Sequence, residues 1–81
     1  MDSKMVVAFK TLMKALTDAG FVEPALVVRQ EIAHYKQKEY WEICMFQTSQ
    51  GLNFMKESQD IDGLVEQALT HIEKVKPENL S

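Results

Sequence analysis

Eighty-one residues, 46% hydrophobic and 26% charged, make one small domain and exclude wholesale disorder. The formal net charge of −3 disfavours non-specific contact with phosphate backbones, so nucleic acid is not an expected partner. The single cysteine, Cys44, excludes an internal disulfide, and no apolar run approaches the ~20 residues that span a membrane. Polar residues interrupt the N-terminal MDSKMVVAFKTLMKAL, so no cleavable signal is expected and the cytoplasm is the expected compartment. A chain this short buries only about 60–65% of its unfolded surface, which leaves a monomer modestly stable.

The first element is a helix over 4–19, with Asp2 or Ser3 as N-cap. Met5, Ala8, Phe9, Leu12, Met13, Ala15, Leu16 and Ala19 form one broad apolar stripe at 100° per residue, with Lys10, Lys14, Thr17 and Asp18 opposite. Gly20 stands where a C′ glycine ends a helix.

Residues 21–39 carry two patterns. Read as a helix over 25–37, Pro24 suits the first turn, and Ala25, Val28, Ile32 and Tyr35 share a face. Read as a strand, Leu26, Val28 and Ile32 alternate with Val27, Arg29 and Glu31, but Gln30 and His34 break the apolar face. The helix is preferred here. The strand is the alternative, and it gives the order α-β-β-β-α.

A β-hairpin follows over 40–57, turning at Ser49-Gln50-Gly51. Glycine accepts the positive φ that the last position of a three-residue loop requires. That loop sets Thr48 opposite Leu52, Phe46 opposite Phe54, Met45 opposite Met55 and Cys44 opposite Lys56. One face then carries Tyr40, Cys44, Phe46, Leu52 and Phe54, and the other Trp41, Ile43, Met45 and Met55. Two apolar faces are unusual, because a half-solvated antiparallel strand alternates apolar with polar.

The last element is a helix over 61–76, capped by Asp60. Its apolar set is Ile61, Leu64, Val65, Ala68, Leu69, Ile72 and Val75. Asp62 suits the positive end of the helix dipole, and Lys74 and Lys76 the negative end. Pro77 stops the helix, and residues 77–81 are a frayed tail.

Chemistry-bearing patterns are sparse. No phosphate-binding glycine loop, paired-cysteine motif or metalloprotease helix is present. Cys44 with His34 or His71 as base would be the nucleophilic pair, but a cysteine between Ile43 and Met45 is expected to be a small buried hydrophobe. Cys44, His34 and His71 lack the spacing of a structural zinc site, so neither metal nor cofactor is expected. Glu42, with Glu39 and Glu57 near it, is the closest approach to a carboxylate cluster. His71 is expected at the edge of the last helix's apolar stripe, its ring on the core rim and its nitrogens meeting water, and His34 on the polar side of the helix over 25–37.

The expected molecule is therefore an α+β domain that is not an enzyme. It is expected to act as a small protein-interaction module (a regulator, adaptor or inhibitor, from its size of bacterial or phage origin) and to be homodimeric. Its contact surface is expected at the hairpin face of Trp41, Ile43, Met45 and Met55, or at a sheet edge. The alternative is a module for a small ligand or single-stranded nucleic acid, in which aromatic residues of the Tyr35–Trp41 region, beside Lys36 and Lys38, stack on bases.

Overall fold

The computed structural model describes residues 3–33 and 38–77. Its elements are α1 (Lys4–Ala19), β1 (Ala25–Ala33), β2 (Lys38–Gln47), β3 (Leu52–Ser58) and α2 (Ile61–Val75). The strands form an antiparallel sheet in the order β1-β2-β3. Both helices pack on one side of it, α1 over β1 and α2 over β3 and β2, and they touch each other. The fold is the α+β order α-β-β-β-α. The expectations for His34, Tyr35 and most of the C-terminal tail fall outside the described residues.

Both helices begin and end as their sequences require. In α1 the Ser3 hydroxyl accepts from the Val6 N–H at 3.2 Å. Gly20, at φ 95°, donates back to Thr17, and Phe21 donates to the Leu16 carbonyl at 3.1 Å. This left-handed glycine closure turns the chain so that Phe21 joins Leu16 in the core. In α2 the Asp60 carboxylate accepts from the Gly63 N–H at 3.2 Å. A Cβ at position 63 would lie 2.6 Å from Asp60 Oδ2, so glycine there leaves room for the cap. Replacing Asp60 with alanine should cost about 1 kcal/mol and lower the melting temperature by roughly 4–8 °C, measurable by thermal circular dichroism.

The preferred helix over 25–37 is not formed: residues 25–33 are strand β1. The deciding interaction is non-local. Nine residues of β1 pair in register with β2, from Ala25↔Phe46 to Ala33↔Lys38. The pleat then sends Leu26 and Val28 against the core while Val27 faces the other way. The run Leu26-Val27-Val28, which fits a helix poorly, suits a strand with one covered and one uncovered side. Pro24 precedes the ladder and costs it no donor.

The hairpin loop is one residue longer than its sequence suggests. Gly51 does adopt the left-handed conformation, at φ 82°, but it closes a 3-10 turn that begins at Thr48. The turn is held by Gly51 N–H to Thr48 O at 3.1 Å. Gln47 therefore pairs with Leu52, Met45 with Phe54 and Cys44 with Met55. A one-residue slip moves every side chain of one strand to the other face of its partner. Leu52 and Phe54 thus join Trp41, Ile43 and Met45 beneath the helices.

The hairpin loop also anchors the connection between α1 and β1. Gln50 Oε1 accepts from the Val22 N–H at 2.8 Å, Gln50 Nε2 donates to Gly20 O at 3.3 Å, and Gln47 Nε2 donates to Val22 O. These bonds hold both backbone groups of Val22. Its neighbour Glu23 takes φ 48°, a left-handed conformation rare for a residue with a side chain. At the opposite end β1 and β2 pair out to Ala33↔Lys38, whereas β3 stops opposite Trp41. The longer β1–β2 ladder therefore extends past the three-stranded part of the sheet.

Candidate functional site: the uncovered sheet face

Residues paired directly across strands share a face. The register places Val27, Cys44 and Met55 in one row on the side away from the helices. Ala25, Phe46 and Asn53 lie on one flank of that row, and Arg29, Glu42 and Glu57 on the other. Met55 is 65% exposed, Val27 48% and Phe46 36%. Cys44, at the centre, is 9% exposed. An apolar band of this kind in the middle of a sheet is normally covered by a second layer.

The expected contact residues divide between the two faces. Trp41, Ile43 and Met45 lie in the core beneath the helices, and Met55 alone faces outward. This corrects the assignment of the four to one exposed surface, and its physical cause is the hairpin slip. Val27, Cys44 and Phe46 are the residues that sequence reasoning missed. Glu42 was the available signal. It shares strand parity with Cys44 and Phe46, and a charged residue marks that side as the one facing water, whereas Trp41, Ile43 and Met45 form an unbroken apolar set.

Electrostatics organise the rim of the band. Arg29 Nε donates to Glu42 Oε1 at 2.6 Å. Glu57 stands directly opposite Glu42 on the neighbouring strand, a like-charge pairing that antiparallel sheets disfavour. Burial pushes the Cys44 thiol up from its ordinary pKa, and Glu42 adds to the effect. Cys44 therefore stays a thiol at neutral pH, a poor nucleophile.

The remaining candidates are dispersed. His71 packs against Phe54 with ring centroids 5.3 Å apart and planes tilted by 47°, on the helix side of the sheet, whereas Cys44 lies on the opposite side. Glu39 pairs with Ile32 and so takes the parity opposite to Glu42. Among the described residues no three His, Cys, Asp or Glu side chains gather closely enough to hold a metal ion. In the region expected to stack on bases, Trp41 is buried and Tyr35 lies outside the described residues. No helix among the described residues is long and apolar enough to cross a membrane.

His71 gives the fold a pH dependence. Burial lowers its pKa below the ordinary 6.5, with Lys74 and Lys56 contributing. Protonation thus favours the unfolded chain. The stabilisation is complete above the unfolded pKa and declines as the pH falls below about 6.5 towards the lower folded value. Denaturant titrations of the native chain and of His71→Phe at pH 7.5 and 5.0 should show a larger acid-induced loss for the native chain. Equal losses would rule the effect out.

Comparison of the chain with protein-family models, curated proteins and solved structures yields no match.

Proposed function

We propose that this chain is a protein-interaction module that works by docking through its uncovered sheet face, with a second copy of itself as the partner that the face fits. The observation carrying this reading is the outward row Val27–Cys44–Met55 with Phe46 beside it, an apolar band that neither helix covers. Exposed apolar surface of this kind marks an interface more often than it is tolerated idle.

The face is self-complementary about a two-fold axis parallel to β2 and lying between the two sheets. Sheets stack with their strands nearly aligned, so such an axis lays β1 of one copy over β3 of the other. Val27 then meets Met55 of the partner subunit, and Arg29 meets Glu57 of the partner subunit. Within one chain Glu57 opposes Glu42 unfavourably; this arrangement brings it Arg29 of the partner subunit, shared with Glu42, while Glu42 on the axis meets Glu42 of the partner subunit. Binding rather than catalysis, in the cytoplasm, is the role that goes with this surface and with a protonated, poorly accessible Cys44. Light scattering across a concentration series tests the reading. The apparent mass should rise towards twice the 9.3 kDa chain, and a mass fixed at one chain up to millimolar concentration would refute self-association.

A further inference from the structure

We propose that the groove between the free edge of β3 and the outer side of α2 binds an extended acidic peptide, which adds to the sheet as a fourth strand. The proposal rests on the chain's being an interaction module, but it uses a surface separate from the uncovered face. Three features of the groove carry it.

β3 is an edge strand, so half of its backbone N–H and C=O groups point away from β2 with no strand among the described residues to receive them. Strand addition to such an edge takes its affinity from main-chain hydrogen bonds and its selectivity from alternate side chains. Alongside this edge runs a groove of about 720 Å³ between β3 and α2, within the range of ligand-binding clefts.

The charge there is locally reversed. The chain as a whole carries −3, yet this groove is lined by the two cations Lys56 and Lys74 against the single carboxylate of Glu66. Among the described residues neither lysine pairs with a carboxylate. Lys56 instead reaches across the groove to Gln67 Oε1 at 3.4 Å and lies 5.9 Å from the centre of the Phe54 ring. The groove floor holds a further unmet group, because His71 Nε2 is buried and has no hydrogen-bond partner among the described residues. Buried polar atoms are rarely left so.

The spacing of these groups specifies the peptide. Phe54 and Lys56 are two residues apart on β3 and share its helix-facing side. A matching strand therefore presents an apolar side chain and a carboxylate at alternate positions on one side, as in Thr-Val-Thr-Glu-Thr-Val-Thr-Glu. The edge and groove take this class of partner rather than a second copy, whose own groove carries the same two lysines.

The test uses the full chain with that octapeptide, fluorescein-labelled, and a control in which both glutamates are lysine. Anisotropy titration at low salt should show the glutamate peptide binding at least tenfold more tightly. Amide NMR shifts should cluster on β3 and the facing side of α2. The charge-reversed variant Lys56→Glu/Lys74→Glu, checked for an unchanged thermal transition, should invert the preference. Val27→Glu, which disrupts only the uncovered face, should bind the glutamate peptide as the native chain does. The peptide proposal and self-association through the uncovered face therefore fail independently. Equal binding of the two peptides, no binding of either, or β3 shifts that follow protein concentration alone would each overturn the proposal, the last by assigning the edge to a second copy.

Discussion

Replacing Ile43 with alanine should lower the unfolding free energy by about 2–5 kcal/mol, the usual range for truncating a fully buried aliphatic side chain. Ile43 is completely inaccessible, at the centre of β2, with Met45 and Trp41 on the same side and both helices above it. Small domains hold only about 5 kcal/mol in reserve, so the variant should be largely unfolded at about 40 °C. Met55→Ala is the matching control. Met55 stands opposite Cys44 and faces away from the helices, so its truncation should cost the isolated chain less than about 0.5 kcal/mol. Urea denaturation at low protein concentration measures both. Comparable losses for the two variants would place Met55 in the core beside Ile43 and contradict the observed hairpin register.

Introducing charge into the uncovered face should have the second large effect. Val27→Glu places a carboxylate where the proposed two-fold brings Met55 of the partner subunit, and burying an unpaired charge costs several kcal/mol. Self-association should weaken by roughly a hundredfold or more. The thermal transition of the monomer should move little, because Val27 is already half exposed. Glu57→Lys separates the two roles of its position more sharply. In one chain it replaces a like-charge pair with Glu42 by an opposite one, worth roughly 0.2–1 kcal/mol of stability. In the dimer it sets lysine against Arg29 of the partner subunit. A variant that is more stable as a monomer yet associates more weakly is therefore expected. Sedimentation velocity combined with thermal melting measures both changes, and unchanged association of either variant would place the interface elsewhere.

The two helices were legible in the sequence because their signals are local. Periodicity marks the stripe Ile61, Leu64, Ala68 and Ile72, and Ser3, Gly20 and Asp60 cap the helix ends as expected. β1 was less legible, since what makes residues 25–33 a strand is pairing with β2, a contact that their own side chains do not encode. The hairpin lies between these cases. Gly51 announces its left-handed turn, but three- and four-residue loops share that glycine, and only the 3-10 turn from Thr48 separates them. That single residue decided whether Met55 shared a face with Trp41, Ile43 and Met45 or with Val27, Cys44 and Phe46. For the same reason the candidate surface was expected on the right hairpin but on the wrong side of it.

Isotope-filtered NOE spectroscopy on an equimolar mixture of labelled and unlabelled chains tests the docking of the uncovered face most directly. Cross-peaks between the Met55 methyl of one copy and the Val27 methyls of the other are the predicted result. Intermolecular cross-peaks confined to exposed side chains of α1 such as Met5 and Phe9, or none at a concentration where the mass is that of two chains, would contradict it.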